Sequence, residues 1–207
     1  YDGMDGKQLA IVNNGGQLKF GTNVSFLKAD AAGEKEGRPV VYGGSTSGTN
    51  DTASTVIINS GSFAAVYGAG SVPQTKGTSV TVSGGSVDKL FAGGTKTGTV
   101  TGDTVITVTG GAINCPIYGG GEGAKVTGNT KVTVTGGDFD KSSDRSVYGG
   151  GKGADVEGKS DVLITIDNST GGKTLLCNNV SASGTDENGT LIDNVKKTGA
   201  KNTITIT

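Results

Sequence analysis

The sequence predicts an all-β fold: a parallel β-helix wound as one solenoid, with about 24–30 residues and three short strands per coil. Three observations predict it. A strand motif closing on two glycines recurs almost unchanged, an aliphatic–aromatic–glycine motif accompanies it, and the composition is too poor in large apolar residues for an ordinary core.

Of 207 residues, 39 are glycine, 32% are hydrophobic and only 5% are aromatic, which leaves a compact three-dimensional core short of material. A solenoid needs less, because each coil covers only the thin slice of core that belongs to its neighbours.

The first part of the repeat is an alternating strand. It reads Ser79-Val80-Thr81-Val82-Ser83-Gly84-Gly85, then Thr104-Val105-Ile106-Thr107-Val108-Thr109-Gly110-Gly111, then Thr130-Lys131-Val132-Thr133-Val134-Thr135-Gly136-Gly137. Apolar residues at every second position fit a strand, which sends successive side chains to opposite faces. Val80, Val82, Ile106, Val108, Val132 and Val134 are therefore expected to point inward. By the same phase Val56 and Ile58 lead an earlier coil, Val162, Ile164 and Ile166 a later one, and Ile204 and Ile206 the last. The closing glycines fit corners that need a positive φ.

The second part places an aromatic before a glycine run, at Tyr42, Tyr67, Phe91, Tyr118 and Tyr148. The third carries one valine before a glycine: Val100-Thr101-Gly102, Val126-Thr127-Gly128 and Val156-Glu157-Gly158. Gly119-Gly120-Gly121 is not a phosphate cradle, since no lysine follows it and no strand-to-helix transition surrounds it. The regular repeats span 39–168. Leu18-Lys19-Phe20 and Val24-Ser25-Phe26 alternate off that register, so 1–38 read as a divergent first coil or cap and 169–207 as divergent last coils, all within one solenoid domain. Segments 29–37, 141–145 and 181–190 read as insertions. Leu175-Leu176-Cys177 is expected in the aromatic slot of its coil.

The pattern of Val-Thr-Val-Thr-Gly-Gly followed by Val-Tyr-Gly-Gly-Gly resembles the glycine-rich repeat regions of large adhesin-like surface proteins from Gram-positive gut bacteria. The resemblance covers roughly 39–168. It implies a right-handed parallel β-helix on the cell exterior, and it supplies no catalytic residues to carry over.

The column Tyr42, Tyr67, Phe91, Tyr118, Tyr148 is the candidate ligand-binding strip. Facing inward it is core; facing outward, its rings bordered by bare glycine would form a flat groove suited to sugar faces. Host or microbial glycans or surface proteins are the partners this allows. The pairs Thr81 and Ser83, Thr107 and Thr109, Thr133 and Thr135, and Thr205 and Thr207 form an outward hydroxyl grid like that of ice-binding solenoids, broken by Ile57, Asn59 and Asp167.

A carbohydrate-active enzyme would need two carboxyl groups about 5–9.5 Å apart facing one sugar. Asp138, Asp140 and Asp144 beside Arg145 are the clearest acidic cluster, in and beside an insertion. Histidine, the commonest proton shuttle and metal ligand, is absent from the sequence. No catalytic residue, cofactor or metal is expected. Asp103, Asn129 and Lys159 share one corner position, and a lysine there argues against a calcium row. Cys115 and Cys177 are expected about 10 Å apart from strand stacking, too far for a disulfide.

With 18 basic and 19 acidic residues scattered along the chain, nucleic acid is not an expected partner. Apolar runs such as Leu9-Ala10-Ile11-Val12 fall far short of the roughly 20 residues of a membrane-spanning helix. The sequence opens on Tyr1 and stops inside an alternating run, so a signal peptide and an anchor are expected outside it, with an extracellular or cell-surface location. Oligomeric state is left open.

Overall fold

The structure is a computed structural model that describes residues 9–26, 38–139, 145–165, 178–195 and 203–206. These residues form strands, bridges and turns with no helix, arranged as parallel sheets stacked into a β-solenoid.

One sheet has 7 short strands: Ala10–Val12, Val40–Tyr42, Ala65–Tyr67, Leu90–Phe91, Ile117–Tyr118, Val147–Tyr148 and Val180–Ser181. The other follows Gly16–Phe20, Ser54–Ile58, Thr78–Val87, Thr104–Ile113, Thr130–Val134, Ser160–Ile164 and Thr203–Ile206, with Ser62–Phe63 paired onto Thr78–Val87. Each pairing in these two sheets is parallel and joins one coil to the next, about 4.8 Å along the axis.

The expected inward phase is the observed one from Val56 to Ile164, whereas Ile204 and Ile206 continue the two columns by register but are exposed, at 44% and 58%. Val56, Val80, Ile106, Val132, Val162 and Ile204 form one column, and Ile58, Val82, Val108, Val134, Ile164 and Ile206 the next. The members from Val56 to Val134 are fully buried in the main core, and Val162 and Ile164 nearly so. Val41, Val66, Leu90, Ile117 and Val147 face them from the short-strand sheet. The third part of the repeat is a column of single bridges through Asn50, Gln74, Val100, Val126, Val156 and Val195. Its valines pack with Ala69 as a smaller core.

Four details differ from the sequence expectation. Leu18-Lys19-Phe20 is in register, with Leu18 opposite Val56 and Phe20 opposite Ile58, because one inward column continues through the first strand. Its Phe20 meets Phe26 and Phe63 edge to face, with ring centroids 6.3 and 4.8 Å away. Two strands run on through their glycine pair to Val87 and Ile113, since Ser86 and Ala112 pair again after an irregularity at Ser83. The corner glycines Gly61, Gly85, Gly111 and Gly137, the first preceded by Ser60 and the others by a glycine, have φ of 100°, 75°, 87° and 115°, the conformation that a side chain penalises. Beyond them lies a core column that the sequence pattern did not single out: Phe63, Val87, Ile113 and Phe139, all buried.

The remaining two differences fall in the last coil. Val180–Ser181 pairs with Val147–Tyr148, so Ser181 rather than Leu175-Leu176-Cys177 occupies the aromatic slot. The segment read as an insertion over 181–190 completes that strand and opens an antiparallel hairpin, Gly184–Thr185 against Leu191–Ile192. Segment 29–37, Asp140 to Asp144, Ile166, Asp167 and Cys177 lie outside the described residues.

Candidate functional site

The aromatic column is built by strand alternation. Each ring follows a residue pointing into the main core, so it emerges from the opposite face of the short-strand sheet. Register brings the rings into line. Tyr42, Tyr67, Phe91, Tyr118 and Tyr148 stack with successive centroid distances of 5.4, 5.5, 4.8 and 4.9 Å and interplanar angles of 8°, 14°, 7° and 23°.

That outer face is not open to solvent. After each glycine run the chain turns back over the rings, through a second bridge column of Thr95, Glu122, Lys152 and Thr185. The Tyr67 hydroxyl donates to the Glu122 carboxylate, which also receives Lys89 Nζ at 3.2 Å. The Tyr118 and Thr185 hydroxyls share a hydrogen bond at 3.2 Å. Burial, and then the Glu122 carboxylate, push the Tyr67 phenol well above its ordinary pKa. Tyr67, Phe91, Tyr118 and Tyr148 are only 3–5% exposed, and Tyr42 is half-buried.

The outward alternative for this strip is therefore corrected. Rings about 5 Å apart use their faces on one another, and the covering turn takes their edges, so no flat aromatic groove remains for a sugar. The column is a second, narrow core outside the sheet.

A polar column that the sequence pattern left unnoticed ties this strip to the main core. Ser54, Thr78, Thr104 and Thr130 lie two residues before the inward apolar pair, on the inward face, and all are buried. Their hydroxyls donate to the carbonyls of Gly68, Ala92, Gly119 and Gly149, each the residue after a ladder aromatic, at 2.5–2.6 Å. A hydroxyl residue recurring in the inward phase was the available signal, since a polar group in that phase needs a partner. Two further buried amides replace valine early in the bridge column. Asn50 Nδ2 donates to Gln74 Oε1 at 3.1 Å, and Gln74 Nε2 donates to Ser54 Oγ and the Lys76 carbonyl, both at 3.0 Å.

The corner residues Asp103, Asn129 and Lys159 form a hydrogen-bonded row. Asp103 Oδ1 accepts from the Asn129 backbone N–H at 2.7 Å, and Asn129 Oδ1 from that of Lys159 at 3.1 Å. Lys159 Nζ reaches Asp161 at 3.2 Å. Among the described residues no group of three His, Cys, Asp or Glu side chains stands together as a metal site.

Of the acidic cluster, Asp138 pairs with Ala112 at the edge of the long-strand sheet, and its backbone N–H donates to Gly111. Arg145 lies just before the short strand Val147–Tyr148. Asp140 and Asp144 are outside the described residues, so the structure brings no carboxylate pair together from this set. Cys115 is buried in the main core.

The outward face of the long-strand sheet carries Thr81, Thr107 and Thr133 in one column, continued by Ile57 on one side and Leu163 on the other. The neighbouring column mixes Ser79, Val105, Lys131 and Asp161. The second column of the hydroxyl grid is also interrupted, because Ser83 pairs with Gly110 instead of Thr109.

Two sheets in register, a column of bridges and a covered aromatic strip define a parallel β-solenoid repeat protein. Compared with known proteins, the chain matches no family model, no curated sequence and no solved structure. Among the described residues no helix is long and apolar enough to cross a membrane.

Proposed function

We propose that this chain is a non-enzymatic extracellular module, a stiff stalk or display surface in an adhesin-like cell-surface protein. One observation carries the reading: the parallel ladder joins coil to coil in both sheets, from Ala10 to Ser181 in one and from Gly16 to Ile206 in the other. A stack of coils held by edge-to-edge hydrogen bonds along its axis resists bending and local opening. The internal hydroxyl column adds a buried bond between the two strands of successive coils, which supports the scaffold.

The resemblance to adhesin-like repeats supplies the location and the class of partner, host or microbial glycans or surface proteins. With the aromatic strip covered, contact with such a partner falls to the outward face around Thr81, Thr107 and Thr133.

Small-angle scattering tests the stiff module, with a single rigid particle expected; a flexible or segmented particle overturns it. Protease shaving of intact producing cells tests surface display. A glycan array comparing the wild type with Thr81→Lys/Thr107→Lys tests the partner face, and loss of signal in a folded variant supports it. Release of reducing sugar from a polysaccharide panel would replace this reading with a carbohydrate-active enzyme. Thermal hysteresis would replace it with ice binding.

A further inference from the structure

The sequence holds two Asn-Gly steps, Asn14-Gly15 and Asn188-Gly189. Such a step can close on itself: the glycine backbone nitrogen, once deprotonated, attacks the asparagine side-chain carbonyl. The new C–N bond makes a succinimide and ammonia leaves. Water then opens the ring to an aspartyl or isoaspartyl residue. No enzyme or oxidant is required. The step needs a backbone free to rotate and a nitrogen that is not held elsewhere.

The two steps differ in this respect. Gly15 donates its N–H across coils to the Gly43 carbonyl at 3.0 Å, and a Cβ built on it would lie 2.9 Å from both Asn50 Oδ1 and Thr52 Cβ. That backbone is packed into the ladder. Asn188-Gly189 stands at the tip of the hairpin joining Gly184–Thr185 to Leu191–Ile192, with Asn188 and Gly189 both exposed. Gly189 has φ 88° and open space around it. Its N–H donates only within the turn, to the Asp186 carbonyl at 3.1 Å, and Asp186 Oδ1 holds the N–H groups of Asn188 and Thr190 at 2.9 and 2.8 Å. Opening this turn breaks only bonds local to the hairpin, among them Asp186 N–H to the Thr190 carbonyl at 2.8 Å, whereas moving Gly15 breaks a contact between coils.

We propose that Asn188 is a site of spontaneous deamidation in the folded protein, and that Asn14 is protected by its coil. The product places a further carboxylate beside Asp155, Asp186 and Glu187, which with Ala154 and Ile192 line a shallow open depression at the hairpin. The local charge of that surface thus changes with the age of the molecule, a property that would accumulate in a long-lived surface protein.

The test is peptide mapping by mass spectrometry of the intact folded chain, incubated in mildly alkaline buffer and again after unfolding in denaturant. The expected result is the amide-to-acid mass gain on the Asn188 peptide alone in the folded sample, and on both Asn-Gly peptides in the unfolded one. Asn188→Ser, checked for an unchanged circular dichroism spectrum, should remove the folded-state gain entirely. Gain on the Asn14 peptide at a rate equal to or faster than Asn188 in the folded sample overturns the proposal. So does an Asn188 peptide that stays unmodified when folded while it converts readily when unfolded.

Discussion

The Thr104 hydroxyl lies 2.6 Å from the Gly119 carbonyl oxygen and donates to it from inside the coil. Thr104 begins the long strand of its coil, and Gly119 follows Tyr118 in the short one, so one buried bond fixes the distance between the two sheets.

Replacing Thr104 with valine keeps the shape and removes the donor. The Gly119 carbonyl then stays buried without it, at a cost of about 1–3 kcal/mol. Thr104→Ser keeps the hydroxyl and should lose less. Urea unfolding is the measurement, and equal losses in the two variants would show that the hydroxyl bond is not what stabilises this position.

Tyr118 is stacked on both sides, by Phe91 and by Tyr148. Tyr118→Ala should destabilise the fold by about 3–5 kcal/mol, the range for deleting a buried aromatic. Tyr118→Phe keeps both stacks and gives up the hydroxyl bond to Thr185, a loss of about 0.5–1.5 kcal/mol. Thermal and urea unfolding would separate the two. A near-neutral alanine variant would mean that the rings are exposed after all.

Two glycines with positive φ separate conformation from crowding. Gly123 has φ 67°, and an alanine methyl there would have its nearest non-neighbouring atom 4.0 Å away. Gly111 has φ 87°, and the same methyl would meet the Gly84 carbonyl oxygen at 2.8 Å. Gly123→Ala should cost only the left-handed penalty, about 1–2 kcal/mol, and Gly111→Ala clearly more. Comparing their unfolding midpoints checks this, and a reversed order would refute the packing of the coil corner.

The alkaline limb of stability should depend on Tyr67. Its folded pKa is raised, by burial first and by Glu122 second, so above the unfolded value near 10 the unfolded chain releases a proton that the folded chain retains. The protonated phenol therefore contributes full stability below that pH, and the contribution falls as pH rises through it. Tyr67→Phe should flatten the decline. Urea midpoints measured on both sides of that pH decide the matter, and parallel curves for the two proteins would remove Tyr67 from the explanation.

Much of this was legible in the residues. Period-two alternation at Val80 and Val82, repeated at Ile106 and Val108 and at Val132 and Val134, assigned strands and their inward face, because a pleated strand has only two faces to offer. Three repeated parts predicted three short strands per coil; two of them form sheets, and the third is reduced to a column of single-residue bridges. The recurring Ser or Thr before each apolar pair was visible too, but its meaning depends on a carbonyl some 14–19 positions away, and spacing alone does not identify it.

What the linear pattern determined by itself was the solenoid, since near-identical coils can satisfy their strand edges by stacking on one another. Whether the tyrosine column meets solvent was decided only in three dimensions. Alternation sends those rings out of the sheet, and whether they stay outside depends on where the chain goes after the glycine run. Here it folds back through Thr95, Glu122 and Thr185, covering the column with residues that carry no apolar signal of their own.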